Sequence, residues 1–197
     1  TVVITRERSR QVFEFAFELA RSRASAGGKS KVTLVDKANV FSSMAFFRKV
    51  FDEVAATHAD IETERLYVDA CALDLVRRPW EFDVLVTENM FGDILSDLAA
   101  GLVGGMGFAP SADIGDSRAV FQPAHGSAPD IVGKGIANPT AAILSGAMML
   151  DWLGRKHQLS SCLDAARLIE EAVEQALQGG AEAFSSTTGM TQQVMDA

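Results

Sequence analysis

The segment FDVLVTENMFGDILSDLAAG, residues 82–101, joins a continuously apolar run to an amphipathic one. The run at 82–87 is short and rich in β-branched residues, which is typical of a strand buried on both faces of a parallel sheet. The residues that follow it show helical spacing of their apolar side chains. A strand that leads directly into a helix predicts an α/β layer structure.

The same alternation of strand and helix extends along the chain in both directions. Residues 101–118 interrupt it with a composition break rich in glycine and polar residues, and residues 124–139 read as a loop. Predicted strands lie at 1–5, 31–36, 64–69, 82–87 and 119–123. Predicted helices lie at 6–23, 41–57, 70–78, 91–101, 139–153, 161–178 and 188–196.

Charge and composition exclude several classes of function. The 197 residues carry a net charge of −8, which argues against nucleic acid as a partner, since phosphate binding needs clustered Lys and Arg. No apolar run reaches the length of a membrane span, so no membrane partner is expected. The two cysteines, Cys71 and Cys162, show neither metal spacing nor a disulfide framework, which favours the reducing cytoplasm. The chain opens on TVVIT without Met, so we expect its beginning to lie elsewhere.

Polar side chains follow three of the predicted strands. Lys37 follows the first, Asp69 ends the second, and Asp93 and Asp97 follow the third. If the strands are parallel, these groups meet at one edge of the sheet, where α/β proteins bind ligands. Three carboxylates suit Mg²⁺ or Mn²⁺. The alternative is that Asp93 serves the helix N-terminus and Asp97 is solvated.

Lys37 also has two interpretations. A lysine just beyond a strand is usually a surface cation. In a partly dry site, the same residue can have a lowered pKa and accept a proton from a substrate. The residues alone leave both open.

The segment HGSAPDIVGKGIANP, residues 125–139, is the other unusual element. Its glycines allow close backbone approach to a phosphate, and Asn138 is placed to cap the next helix. It is not a GxGxxG fingerprint, because GKGIAN lacks the third glycine and does not directly follow a strand. An ordered glycine-rich connection is the alternative.

Four motifs together resemble the β-decarboxylating dehydrogenases, the family of 3-isopropylmalate, isocitrate, homoisocitrate and tartrate/D-malate dehydrogenases. Residues 187–197 are also similar to that family's C-terminal helix, so the resemblance extends over the chain. The motifs are VTLVDKANV (32–40), YVD (67–69), FDVLVTENMFGDILSDLAAGLVGGMGFAPSADIG (82–115) and HGSAPDIVGKGIANPTAAILSGAMML (125–150).

The resemblance implies a non-Rossmann isocitrate/isopropylmalate dehydrogenase-like fold with two α/β domains, here lacking the N-terminal part. Residues 1–104 would belong to the smaller, dimer-forming and substrate-binding domain. Residues 105–197 would form the C-terminal part of the larger, nucleotide-binding domain. The family's arginine cluster and catalytic tyrosine would lie in the missing part, so the fragment alone is expected to be inactive.

The family's site residues carry over position by position. Asp93 and Asp97 would bind Mg²⁺ or Mn²⁺ in one subunit of a homodimer. Asp69 and Lys37 would reach the same site from the other subunit, with Lys37 catalytic. A carboxylate at Asp130 would favour NAD over NADP by repelling a 2′-phosphate. The residues that match the cofactor site are Asn39, His125, Gly126, Ser127, Ala128, Asp130 and Asn138.

The implied activity is NAD-dependent oxidative decarboxylation of a small hydroxy-dicarboxylate, a 3-substituted D-malate. The motif VDKANV favours 3-isopropylmalate, with homoisocitrate or isocitrate close behind. Ala70, Gln122 and Ala124 depart from the common family pattern. The alternatives are a tartrate/D-malate dehydrogenase and a non-catalytic regulatory subunit or fragment.

Overall fold

The computed structural model describes residues 3–178 and 186–197, which alternate between helix and strand through most of their length. Contacts divide the chain into two units, Thr1–Ala99 and Ala100–Ala197. The described elements, in chain order, are α1 Arg6–Ala24, β1 Lys31–Asp36, α2 Ser42–Ala55, β2 Glu62–Tyr67, α3 Val68–Arg77, β3 Val84–Val86, α4 Asn89–Leu102, β4 Pro110–Ile114, β5 Ala119–Pro123, α5 Thr140–His157, α6 Ser160–Gln178 and α7 Thr187–Asp196. Short 3₁₀ turns lie at Pro79–Glu81, Met106–Phe108 and Pro129–Ile131.

The first unit is built on a three-stranded parallel sheet in the order β2-β1-β3. The central strand β1 is buried from Val32 to Asp36, as expected for a strand covered on both faces. Its last residue, Asp36, lies opposite Tyr67, the last residue of β2. The carboxyl ends of the two strands therefore meet at one edge, which confirms the predicted parallel arrangement.

Helices cover this sheet on both faces. Alternate residues of β1 point to opposite faces: Val32 and Leu34 join one apolar cluster, and Val35 joins the other. The first cluster holds α1 and α2 through four phenylalanines whose rings lie against one another. The second holds α3 and α4 through Cys71, Leu75 and Leu95. The four rings are those of Phe13, Phe17, Phe47 and Phe51.

The second unit combines an antiparallel hairpin, β4-β5, with the helices α5, α6 and α7. Helices α5 and α6 approach closely at Gly154, where an added Cβ would lie 2.6 Å from a methyl carbon of Leu163. Lys156 of α5 donates to the carbonyl oxygen of Ser117 in the hairpin turn, at 2.8 Å. None of the helices in the described residues has a stretch long and apolar enough to cross a membrane.

Three features of the fold differ from the sequence-based expectations. Residues 3–5 have no regular structure, while residues 1–2 of that predicted strand lie outside the described residues. Asp69 does not end a strand: β2 stops at Tyr67, and Asp69 lies in the first turn of α3, where a carboxylate is favoured by the helix dipole. Residues 110–114 form β4, whose Pro110 is tolerated because it begins a strand in a two-stranded sheet.

Candidate functional site

The turn that follows β1 is held by an ion pair whose acidic partner is buried. Asp36 is fully buried, and its two carboxylate oxygens each accept a 2.7 Å hydrogen bond from the guanidinium of Arg48 on α2. One of these oxygens also accepts the Ala38 N–H at 2.9 Å. Two further N–H groups, those of Val40 and Phe41, donate to the Lys37 carbonyl oxygen. The backbone around Lys37 and Asn39 is therefore constrained on both sides.

Lys37 and Asp69 lie together at this edge of the sheet. The Lys37 Nζ donates to Asp69 Oδ1 at 2.5 Å, and this bond holds the pKa of the Asp69 carboxyl below its usual range. The Tyr67 ring lies beneath two cations, with Lys37 Nζ at 5.5 Å and the Arg48 guanidinium carbon at 5.2 Å from its centroid. The structure thus brings two predicted site residues into direct contact within one chain, with Asp69 exposed to solvent.

Asp93 and Asp97 lie one turn apart on the exposed surface of α4. Within the described part of the chain, no hydrogen bond or ion pair engages either carboxylate. The helix start is instead capped by Glu88, whose carboxylate accepts the N–H groups of Met90 at 3.0 Å and Phe91 at 2.8 Å. Asp93 therefore does not cap the helix, and both carboxylates are exposed to solvent, as the alternative expects of Asp97.

Two carboxylates on one helix are a partial ligand set for a divalent cation. Among residues 3–178 and 186–197, no three His, Cys, Asp or Glu side chains lie close enough to hold a metal ion. Hard cations such as Mg²⁺ accept one or two carboxylates and complete their shell with water and substrate oxygens. The exposed pair on α4 fits this requirement, and a third carboxylate would have to come from elsewhere.

The loop between β5 and α5 lines most of a half-open cavity of about 440 Å³ in the second unit. Its backbone takes the left-handed conformation at Ala128, Gly133 and Gly135. Asn138 accepts the Thr140 N–H at 3.0 Å, the bond expected of a side chain that caps α5, although Pro139 is the residue next to the helix. The predicted residues that line the cavity are His125, Gly126, Ser127, Ala128 and Asn138.

Asp130 lies in the exposed 3₁₀ turn Pro129–Ile131, between the lining residues Ala128 and Ile131. Asn39 lies in the exposed turn after β1, in the first unit.

Two residues that shape these sites were not found from the sequence. Arg48 follows Met44 by four positions, which places a cation on the buried side of α2, so this spacing was a usable signal. Thr187, which begins α7, lines the cavity and bonds to the loop carbonyls. Nothing local in the sequence distinguishes it from its neighbour Thr188, because the contact joins segments 50 residues apart.

The arrangement of a lysine and carboxylates at a sheet edge, with a separate glycine-rich cavity, is typical of α/β enzymes. Over residues 1–195 the chain matches the family model described as isocitrate/isopropylmalate dehydrogenase. The chain belongs to this family. Its described elements match those of solved family structures, which confirms the predicted fold class.

Curated relatives carry two kinds of name. A 3-isopropylmalate/3-methylmalate dehydrogenase of Methanocaldococcus jannaschii is 50% identical over 178 residues, which are 90% of this chain and 51% of that protein. An isocitrate/homoisocitrate dehydrogenase of Thermus thermophilus is 49% identical over 179 residues, 90% of this chain and 50% of that protein. The chain thus spans about half the length of these relatives.

Solved structures agree with these matches. An isocitrate dehydrogenase from Methylococcus capsulatus superposes with a TM-score of 0.89 at 44% identity, covering 100% of this chain and 57% of that one. A β-decarboxylating dehydrogenase from Thermococcus kodakarensis gives a TM-score of 0.84 at 42% identity, covering 98% of this chain and 55% of that one.

Proposed function

We propose that the complete protein oxidises a 3-substituted D-malate and releases its β-carboxylate as CO₂, with NAD⁺ and Mg²⁺ or Mn²⁺ as cofactors. The observation that carries the proposal is the exposed pair Asp93 and Asp97 on α4, which has no partner among the described residues. Two neighbouring anions without a counter-ion repel each other, and a divalent cation removes that repulsion. The names of the relatives support the reaction class.

Each residue has a definite role in this proposal. The ion would supply positive charge that lowers the pKa of the substrate hydroxyl and stabilises the enolate left by decarboxylation. Lys37, in its neutral form, would accept the hydroxyl proton, directly or through water, and NAD⁺ would supply the hydride acceptor. The pair Asp36–Arg48 holds the backbone on which Lys37 is mounted. Pre-oriented groups of this kind accelerate a reaction because less reorganisation is needed.

The substrate is proposed to be 3-isopropylmalate first, with homoisocitrate or isocitrate next. The relatives support each of these acids. One relative is named for 3-isopropylmalate and another for isocitrate and homoisocitrate, and the two are about equally similar to this chain. For the cofactor, the Asp130 carboxylate would repel the 2′-phosphate of NADP and accept the ribose hydroxyls of NAD. The two free cysteines, Cys71 and Cys162, suit the reducing cytoplasm.

We also propose a homodimer with shared sites. Helices α3 and α4 each expose large apolar side chains, which a second copy would cover. Asp69 of a second subunit would then complete the ligand set begun by Asp93 and Asp97. The exposed apolar residues of these helices are Leu73, Val76, Met90 and Ile94.

The metal assignment is tested by Mn²⁺ titration of the full-length protein. Asp97→Asn should weaken Mn²⁺ binding by more than about tenfold, the loss seen when even an outer partner of a metal site is removed. Its melting temperature should stay close to that of the wild type, because Asp97 is exposed. Glu171→Gln, an exposed carboxylate of α6, is the control. Unchanged Mn²⁺ affinity in Asp97→Asn would contradict the assignment.

The shared site is tested by mixing two inactive variants. In a heterodimer of Asp69→Asn and Asp97→Asn, one site carries both defects and the other carries neither. Random mixing should therefore restore about a quarter of the wild-type activity. Mixtures that stay inactive while exchanging subunits would contradict the shared site.

Turnover assays with NAD⁺ or NADP⁺ and each acid then identify the substrate and cofactor, and no turnover with any of them would favour a non-catalytic subunit.

A further inference from the structure

The glycine-rich loop has few ties to the rest of the second unit. Its own backbone bonds are local: the Ile131 N–H donates to Ala128, and the Lys134 N–H donates to Ile131, both at 3.1 Å. Among hydrogen bonds of the described residues, only two join the segment 131–138 to an element distant in sequence, and both come from Thr187.

Thr187 contacts this segment through its backbone and its side chain. Its N–H donates to the Gly135 carbonyl oxygen at 2.8 Å, and its hydroxyl donates to the Ala137 carbonyl oxygen at 2.6 Å. Gly135 has φ of 65°, a conformation that glycine adopts without strain but does not strongly prefer over others. The two bonds therefore select one conformation of a segment that could otherwise adopt many.

Helix α7 is itself anchored, so Thr187 is a fixed point. Ser186 caps the helix by accepting the Gly189 N–H at 3.0 Å. Met190 is fully buried in a cluster with Ala176 of α6. Thr187 is the first residue of this helix, and it lines the cavity together with Gly135 and Ala137.

We propose that Thr187 is a positioning residue for the nucleotide site. By holding two carbonyl groups of the loop, it keeps the cavity in its open form before the ligand arrives. A site that is already ordered binds more tightly, because less conformational entropy is lost on binding. The inference rests on the proposed function, in which this cavity takes the adenosine half of NAD.

The sharpest test is Thr187→Pro in the full-length protein. Proline is well accepted at the first position of a helix, where its missing N–H has no intrahelical partner. Ser186 is extended, with φ of −159° and ψ of 157°, close to the conformation favoured before proline. The variant should therefore keep α7 while losing both donors to the loop.

Three results are expected of Thr187→Pro. The Kd for NAD⁺ should rise about tenfold, the effect of losing one or two hydrogen bonds of ordinary strength. The value of kcat at saturating NAD⁺ should stay within about twofold, because the loop adopts the same bound conformation once filled. In the protein without NAD⁺, amide hydrogen exchange of residues 132–138 should become faster.

Matched variants separate the loss of the two Thr187 hydrogen bonds from other effects of the substitution. Thr187→Ser keeps both donors and should bind NAD⁺ with the wild-type Kd. Thr187→Val loses only the hydroxyl and should give an intermediate Kd. Thr188→Val removes the neighbouring, exposed hydroxyl, whose contact is with Ser186, and should change neither Kd nor exchange.

Each contrary outcome has a distinct meaning. If amide hydrogen exchange of residues 132–138 is unchanged in Thr187→Pro, the positioning role is overturned, even if NAD⁺ binds more weakly. Thr187 would then act by direct contact with NAD⁺. A lower melting temperature with an unchanged Kd for NAD⁺ also overturns the positioning role, because that result indicates that Thr187 only stabilises the fold. A wild-type protein that does not bind NAD⁺ defeats the proposed function, while the exchange experiment still decides whether Thr187 holds the loop.

Discussion

The two units of the chain pack their interiors in opposite ways. The first unit buries large aromatic rings between a sheet and two helices, with Phe13, Phe17 and Phe51 completely inaccessible. The second unit brings helices together through small residues, such as Ala147 and Ala166. An aromatic core is weakened by removing volume, whereas a close helix crossing is weakened by adding it.

This difference also separates the two candidate sites. Lys37 and Asp69 lie at the carboxyl end of the parallel sheet, where the ends of β1 and β2 are fixed by the strand register. The cavity of the second unit is lined by an irregular loop with two glycines of positive φ, Gly133 and Gly135. The first site is therefore pre-organised by the core beneath it, and the second by individual hydrogen bonds.

Phe51→Ala should have the largest effect on stability. The Phe51 ring lies 5.2 Å from that of Phe13 and 5.6 Å from that of Phe17, and its removal leaves a cavity that the sheet cannot fill. We expect a loss of about 3–5 kcal/mol in the free energy of unfolding, measured by urea titration. Phe15→Ala, on the exposed side of α1, is the control and should cost much less. Equal losses in the two variants would contradict an aromatic core centred on Phe51.

Arg48→Met should have the next largest effect. It leaves the carboxylate of the fully buried Asp36 without its charged partner, which costs about 3 kcal/mol in the free energy of unfolding. The pair also keeps the pKa of the Arg48 guanidinium above its ordinary value, chiefly through the hydrogen bond to Asp36. Urea titration measures the loss.

Arg65→Met is the matched control for this change. Arg65 makes the same kind of contact, to Asp52 at 2.7 Å and over the Phe51 ring at 5.1 Å, but on the surface. Exposed pairs contribute about 0–1 kcal/mol. A loss for Arg65→Met equal to that for Arg48→Met would show that burial of Asp36 does not matter.

Much of the first unit could be predicted from the sequence, because its signals are local. The apolar run at 82–87 and the helical spacing around Phe13 and Phe17 indicate buried elements without any knowledge of the fold. The position of Lys37 is predictable for the same reason, since a polar residue directly after a buried strand must lie at the sheet edge. The end of β2 was misplaced, because YVD reads equally well as strand or as helix start.

The contacts that complete the sites could not be predicted in this way. Arg48 reaches Asp36 across 12 residues, and Thr187 reaches Ala137 across 50, so neither pairing leaves a periodic pattern. The strand β4 was missed because Pro110 and Ser111 are turn residues by propensity, and only pairing with β5 makes them a strand. Tertiary context decides such cases.

Gly154→Ala tests the close crossing of α5 and α6. The added methyl group would lie 2.6 Å from Leu163 Cδ2 and 3.1 Å from the Leu159 carbonyl oxygen, so the Leu163 side chain or the adjoining backbone must shift. We expect a loss of about 1–3 kcal/mol in the free energy of unfolding, measured by thermal or urea titration.

Gly146→Ala, on the same helix, is the control with the opposite sign. No atom lies within 4 Å of its added Cβ, so the higher helix propensity of alanine should stabilise the protein by about 0.5–1 kcal/mol. Two losses of equal size would show that the crossing at Gly154 is not the tight point of this unit.

Labelling of the two cysteines tests burial in each unit without any substitution, and it is the test that disturbs the protein least. Cys71 is buried in the first unit, and burial raises the pKa of its thiol to about 11. A raised pKa keeps the thiol protonated, so at pH 8 only about one molecule in a thousand carries the reactive thiolate. Iodoacetamide should therefore modify the partly exposed Cys162 first and leave Cys71 unmodified until urea opens the sheet. Mass spectrometry of peptides after a short pulse measures both sites, and rapid labelling of Cys71 in native buffer would contradict the burial of α3 against β1.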